Sequence, residues 1–270
     1  MAAEQDRGAF IWYELMTPDA AAAKQFYDAV VGWNLQQHGG ASATGAQYYM
    51  IGRSDGGFAG GVLELTGEMI EQGASPAWLP YICIADVDGA AGELVAAGGA
   101  THLAPTDMAG VGRIAMVSDP WGAVFYLMNP TPPPGNPDAK SDVFSPTDAQ
   151  HVRWHDLWTE DQPAAAALYG ELFGWKVEGA VPMGDGREYQ FLHNGAGMFG
   201  GLGTALADGP GPRWALYIGV DDIDRAMGAV EAGGGTLLGS PNPVPGGDFA
   251  VHAQDPQGAR FGLVGPRKES

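Results

Sequence analysis

Apolar and polar side chains alternate with a period of two from Phe10 to Met16, the pattern of a half-buried strand. An alanine-rich run then reaches Val31. Thr17 or Asp19 is placed to cap its start, and Gly32 to end it, so the spacing predicts a helix. Strand-like stretches follow near Trp33–His38, Gln47–Arg53 and Phe58–Leu65. The order then recurs: a strand over Leu79–Ala85, a helix from about Asp88 to Ala97 stopped by Gly98-Gly99, and strands near Thr101–Leu103, Gly112–Ser118 and Ala123–Asn129. Asp119-Pro120-Trp121-Gly122 reads as a tight turn between the last two.

The same succession is written again further on. The segment Trp12–Trp33 returns as Trp154–Trp175, a shift of 142 residues, with nine of 22 positions identical. Trp78-Leu79-Pro80-Tyr81 and its continuation return from Trp214, and Asp119-Pro120-Trp121-Gly122 returns as Asp255-Pro256-Gln257-Gly258, both shifted by 136. Matches at both ends of each half make the chain a tandem duplication. Four consecutive units of strand, helix and three strands predict an α+β protein, with a first domain over residues 8–130 and a second over 151–266. Residues 131–150 form a linker, because proline, glycine and small polar residues replace the apolar period. Its Pro132-Pro133-Pro134 run favours an extended, semi-rigid segment, from which docked rather than floating halves are expected.

Composition narrows the partners. The 13 Lys and Arg against 32 Asp and Glu give a formal charge of −19, which repels phosphate backbones and anionic membranes. Neither nucleic acid nor a membrane is an expected partner, and monomer and homodimer both remain open. A single cysteine, Cys83, precludes an intrachain disulfide. Its repeat equivalent is Gly219, so a packed thiol is the expectation rather than a nucleophile. The first residues, Met1–Phe10, carry no apolar run like a signal peptide, and a cytoplasmic location is expected.

The order of these features resembles the vicinal oxygen chelate superfamily, which includes glyoxalase I, bleomycin-resistance proteins and extradiol dioxygenases. The residues that carry the resemblance are Phe26-Tyr27 and Leu168-Tyr169 in the opening helices, the Gly32-Trp33 and Gly174-Trp175 exits, Asp86-Val87 and Asp222-Ile223, and the Asp-Pro-x-Gly turns. The resemblance implies paired βαβββ modules whose mixed sheet curls around a cleft. In the metal enzymes of that superfamily it also implies a divalent ion held by the opening strands and a final-strand Glu.

The residues at those positions here are of the wrong chemistry. Trp12 and Trp154 stand at the first-strand ligand position, Leu79 and Ala215 at the second-module position, and Tyr126 and Gly262 where the Glu would be. Indole and alkyl groups do not bind a divalent ion, which asks for at least three protein donors. No cofactor is therefore expected; a displaced divalent metal is the alternative, by way of a register slip that gathers His155, His193, His252 and Asp156.

Strand parity assigns what faces the clefts instead. Ile11, Tyr13 and Leu15 suit the helix side, leaving Phe10, Trp12, Glu14 and Met16 for the cleft, matched by Val152, Trp154, Asp156 and Trp158. Tyr81 and Cys83, against Tyr217 and Gly219, and Val124, Tyr126 and Met128, against Arg260, Gly262 and Val264, complete the lining. The candidate ligand-binding residues are Trp12, Tyr81, Tyr126, Met128, Trp154, Trp158, Tyr217 and Arg260, with Glu14 and Asp156 as candidate catalytic carboxylates. A small organic ligand held by stacking and a carboxylate is the leading expectation. The alternatives are a lyase, isomerase or dioxygenase-type enzyme using a displaced metal or Glu14 and Asp156 as bases, and a scaffold whose tryptophans fill the cavities, with both carboxylates bonded to backbone amides or Arg260.

Overall fold

The computed structural model describes residues 6–38, 46–136, 138–184, 186–207 and 209–268. The N-terminal stretch before Asp6, on which the reading of a missing leader partly rests, and Pro137 of the linker lie outside the described residues.

The first half runs β1 (Phe10–Thr17), α1 (Ala20–Val31), β2 (Asn34–Gln37), β3 (Tyr48–Gly52), β4 (Phe58–Glu64), a short α2 (Gly67–Glu71), β5 (Ala77–Cys83), α3 (Val87–Ala96), β6 (Ala100–Met108), β7 (Gly112–Ser118) and β8 (Val124–Pro130). The second runs β9 (Val152–Thr159), α4 (Gln162–Phe173), β10 (Lys176–Gly184), β11 (Arg187–Asn194), β12 (Gly197–Thr204), β13 (Arg213–Gly219), α5 (Ile223–Ala232), β14 (Thr236–Leu237), β15 (Asn242–Pro243), β16 (Phe249–Gln254) and β17 (Arg260–Gly265). The expected unit of strand, helix and three strands is thus present in the first three modules, and the fourth adds a two-residue strand, β15, that pairs with β16 off the main sheet path. A short helix not foreshadowed by the alternation, α2, is capped by Thr66, which accepts from Met69 N at 3.2 Å.

The helix ends form for local reasons. Asp19, rather than Thr17, caps α1 by accepting from Ala22 N at 2.8 Å, and Asp161 does the same for α4 from Ala164 N at 3.0 Å. Gly32 and Gly174 close these helices at φ 82° and 72°, a left-handed conformation that a side chain would oppose.

The strands form two mixed sheets, in the orders β2-β3-β4-β1-β5-β8-β7-β6 and β10-β11-β12-β9-β13-β17-β16-β14. Neither closes on itself. Each contains a parallel pair between the first and last strand of a module, such as β1 with β4 and β13 with β17, flanked by antiparallel ladders.

Compactness groups the modules across the halves. One unit gathers residues up to Ile11, Pro80–Ser141 and Trp154–Trp214; the other gathers Trp12–Leu79, Asp142–Arg153 and the chain from Ala215 onward. Each therefore holds one module from either half, and the bonds that join them are duplicated. In the second unit Tyr27 donates to Asp255 Oδ2 at 3.0 Å while Trp78 Nε1 donates to the Tyr27 hydroxyl at 2.8 Å. In the first, Tyr169 donates to Asp119 Oδ2 at 3.1 Å. The remaining oxygen of each aspartate accepts from backbone amides of its own turn, Trp121 and Ala123 in one case and Gln257 and Ala259 in the other. The linker is tied down at several points: Asp142 pairs with buried Arg53, Val143 is buried, and Gln150 bonds Gly32 O at 2.8 Å and Ser54 N at 2.8 Å.

Of the residues that parity assigns to the helix side, Tyr13 and Leu15 are fully buried and Ile11 is half-buried; Glu14 and Met16, assigned to the cleft, are buried too. Phe10 departs from parity. Its ring stacks on His155 at 3.7 Å and 11° and meets Trp175, Phe199 and Trp214, so it belongs to an aromatic core rather than to a cleft.

Candidate functional site

The opening strands carry the most distinctive polar arrangement. On β1, Trp12 and Glu14 point the same way, two residues apart. Trp12 Nε1 donates to the Tyr48 hydroxyl from β3 at 2.8 Å, and that hydroxyl donates in turn to the Glu14 carboxylate. Glu14 is 3% exposed. Burial first, then the Glu14 charge, hold the Tyr48 phenol protonated well above its ordinary range.

The second half repeats this arrangement with the acid shortened by one methylene. Trp154 Nε1 donates to the Tyr189 hydroxyl at 2.7 Å and to Asp156 Oδ1 at 3.0 Å, and Tyr189 donates to the same oxygen in a short bond. Asp156 is 3% exposed, and the Tyr189 phenol is pushed up by burial and then by the aspartate charge. Each tyrosine crosses a glycine on the neighbouring strand: a Cβ at Gly61 would overlap Tyr48, and one at Gly201 would overlap Tyr189. Tyr48 and Tyr189 escape a search for titratable residues because phenols seldom stand out, yet they recur at a shift of 141, and comparing the repeats position by position would find them.

Around the second cluster, Trp158 stands where the first half has Met16. Its ring lies over Gly203, Arg213 approaches its face at 5.8 Å, and its Nε1 is buried without an acceptor among the described residues. An uncompensated buried donor of this kind costs about 1–3 kcal/mol, so it is a place where a ligand acceptor gains the most.

The remaining candidates fall on the other modules. Tyr81 and Tyr126 stack at 4.1 Å and 12°, as paired residues of β5 and β8. Met128 pairs with Cys83 in the same ladder and is partly exposed. Cys83 is fully buried and its thiol is pushed up to about 12, chiefly by burial, which makes it inert packing. Tyr217 covers Gly262 and bonds His252 Nε2 at 2.9 Å. Arg260 is exposed at the start of β17.

The histidines do not converge. His155 is fully buried, bonds Phe199 O at 2.9 Å through Nδ1, and has its pKa pulled down to about 3 by desolvation. His193 lies 3.7 Å from Glu178, and His252 pairs with Tyr217. Among the described residues no three His, Cys, Asp or Glu side chains come close enough together to hold a metal ion. The opening-strand donors do not fit one either: the indoles cannot ligate, and Asp156 Oδ1 is already engaged by two hydrogen-bond donors.

A family model described as "Glyoxalase/Bleomycin resistance protein/Dioxygenase superfamily" matches residues 9–127 and again 149–263. The chain belongs to this superfamily, as a tandem two-domain member. It is 28% identical over 264 residues to a Mycobacterium tuberculosis protein named as a glyoxylase, CFP32, covering 97% of both chains. It is also 28% identical over 271 residues to the anthracycline biosynthesis protein DauV of Streptomyces sp. strain C5, covering 95% of this chain and 93% of the other. In structure it resembles the Mn(II)-bound glyoxalase of Novosphingobium aromaticivorans, with a TM-score of 0.60 at 15% identity over 97% of this chain and 84% of that one. No helix among the described residues is long and apolar enough to cross a membrane.

Proposed function

We propose that the chain binds a small organic molecule against its tryptophan, carboxylate and tyrosine clusters, without the metal ion that enzymes of this superfamily use. The observation that carries this reading is the recurrence of one polar arrangement, Trp12–Glu14–Tyr48 and Trp154–Asp156–Tyr189, on the opening strands, where a metal ligand is expected in the resemblance. Indole and phenol faces supply flat apolar area, and the carboxylates supply charge for a hydrogen-bond donor or cation. The second half is better equipped, because Trp158 adds a buried N–H without an acceptor among the described residues. A planar molecule carrying a carbonyl or phenolic oxygen meets that donor.

The name of the mycobacterial relative favours a second reading, in which the chain is an enzyme and Glu14 or Asp156 abstracts a proton. The geometry of Asp156 gives this less support, since Trp154 and Tyr189 occupy the lone pairs of Oδ1. The test is quenching of tryptophan fluorescence by hydroxylated aromatic ketones and aromatic amines, alongside elemental analysis of protein purified without chelator. Saturable quenching is expected to weaken about tenfold or more in Trp158→Phe and Tyr189→Phe, in line with loss of one hydrogen bond to a buried group. Stoichiometric zinc, iron, nickel or manganese in the purified protein, or quenching indifferent to both substitutions, overturns the reading.

A further inference from the structure

The two opening helices are capped by arginines that come from different places. In the unit that holds α1 and α5, Arg225 of α5 donates to Ala29 O and Val30 O, both at 3.0 Å, and Asp221 holds the same guanidinium at 2.9 and 3.0 Å. Its side chain thus bridges α5 and the end of α1. In the unit that holds α3 and α4, the matching carbonyls belong to Glu171 and Leu172, and Arg7, from the segment ahead of β1, caps them at 2.7 and 2.9 Å. The repeat positions of Arg225 and Asp221 are Gly89 and Ala85, neither of which can reach across. A cavity of about 210 Å³ is left beside α3, lined by Arg7 and Leu172 and by residues from the end of β5 through Glu93.

The lining carries both signs of charge over an apolar floor. Arg7 is held by two backbone carbonyls through Nε and Nη2, which fixes its plane and leaves Nη1 without a partner among the described residues. Asp86 caps α3 through Oδ1, accepting from Gly89 N at 2.9 Å, and its Oδ2 has no hydrogen-bond partner among the described residues. The Glu93 carboxylate likewise has none, and the matching position of the second half is Ala229, so this acid is particular to the cavity. Ile84, Ala90 and Leu172 are buried and form the floor. Ile84 has the parity opposite to Tyr81 and Cys83, which sets the cavity on the helix side of the sheet, and it shares no residue with the tryptophan, carboxylate and tyrosine clusters.

We propose that this cavity binds a small aliphatic α-amino acid as its zwitterion. The ligand carboxylate accepts from Arg7 Nη1, its ammonium donates to Glu93 and to Asp86 Oδ2, and its side chain covers Ile84, Ala90 and Leu172. A simple anion meets the two acids, and a simple cation meets Arg7, so a molecule with one charge satisfies only part of the lining. The volume is below the roughly 300–1,000 Å³ of pockets for drug-sized ligands, which suits a molecule of amino-acid size. Arg7 is already oriented by α4, so no ordering of its long side chain opposes binding.

The site is independent of the cleft reading, and either can fail while the other holds. The experiment titrates the ¹⁵N-labelled full chain with L-leucine and L-valine, following amide shifts by NMR, and with isoamylamine and isocaproate, which keep the leucine side chain and one charge each. Saturable shifts at Ala85, Gly89 and Ala90 are expected with either amino acid, with a Kd of about 1 mM or tighter, and each singly charged compound is expected to bind at least about tenfold more weakly. Arg7→Gln and Glu93→Gln should each weaken L-leucine about tenfold or more, and Ala85→Phe, at an exposed position on the lining, should block it. Circular dichroism establishes that each variant is folded; should Arg7→Gln unfold through loss of the α4 cap, Glu93→Gln and Ala85→Phe decide. No saturable shift with either amino acid up to about 10 mM, equal binding of either singly charged compound, or affinities unaltered in the folded variants, overturns the proposal.

Discussion

His155 shows how far a neighbour can override a side chain's own preference. Alternation along β9 assigns it to the buried side, and it is held there between Phe10 and Phe199 with Nδ1 bonded to a backbone carbonyl. Burial pulls its pKa from 6.5 to about 3, so the folded chain keeps it neutral while the unfolded chain takes up a proton. A folded-state value below the unfolded one means that this contribution is complete above pH 6.5 and is lost as pH falls toward 3. Stability is expected to decline by up to about 1.4 kcal/mol per pH unit across that window. Denaturant titrations at intervals of pH should show the slope in the wild type and a flatter profile in His155→Phe. A slope unchanged by that substitution would assign the acid sensitivity elsewhere. Asp119 and Asp255 act in the opposite sense, since burial raises their pKa values and acidification through the carboxylate range relieves them.

At the scale of elements, the Asp-Pro-x-Gly turns do more than reverse the chain. Each aspartate closes its own turn through one oxygen and uses the other to accept a tyrosine from a helix of the opposite half. Tyr27→Phe leaves both Asp255 Oδ2 and Trp78 Nε1 without this partner, at a cost of about 1–3 kcal/mol for each group. The variant should melt several degrees lower, read by calorimetry. A melting temperature within one degree of the wild type would mean that the tyrosine hydroxyl is dispensable. The turn was legible in the sequence as Asp-Pro-x-Gly, and the helix as Phe-Tyr or Leu-Tyr, but not the bond between them. Tyr27 and Asp255 are separated by 228 residues, and no local rule links positions so far apart.

For the whole molecule, the interleaving of modules has a direct consequence. Each compact unit is completed by a module from the other half, so a half-chain lacks the partners of its own buried tyrosine and aspartate. Residues 1–135 and 136–270, expressed separately, are expected to show low cooperativity and strong binding of a hydrophobic dye. Mixed at equal concentration, they should associate into one species with the sharp transition of the intact chain. Two independently stable monomeric halves would contradict this. The domain boundaries drawn from the repeat, 8–130 and 151–266, describe how the gene is duplicated; the compact units describe how the surface is buried, and these need not coincide.

Periodicity and repetition were enough to place the strands, the capped helices and the duplication, because each depends on neighbours within a few residues or on comparison of one half with the other. They were also enough to bring Trp12 and Glu14, and Trp154 and Asp156, to one face of a strand. Only the tertiary structure decided what those carboxylates meet. Tyr48 and Tyr189 arrive from strands about 35 residues away, Phe10 is drawn into an aromatic core against its parity, and His252 reaches Tyr217 because a glycine stands between them. Contacts of this kind follow from how sheets align and which modules share a core, and that is settled by burying apolar surface across the whole chain, not by the order of residues in any one segment.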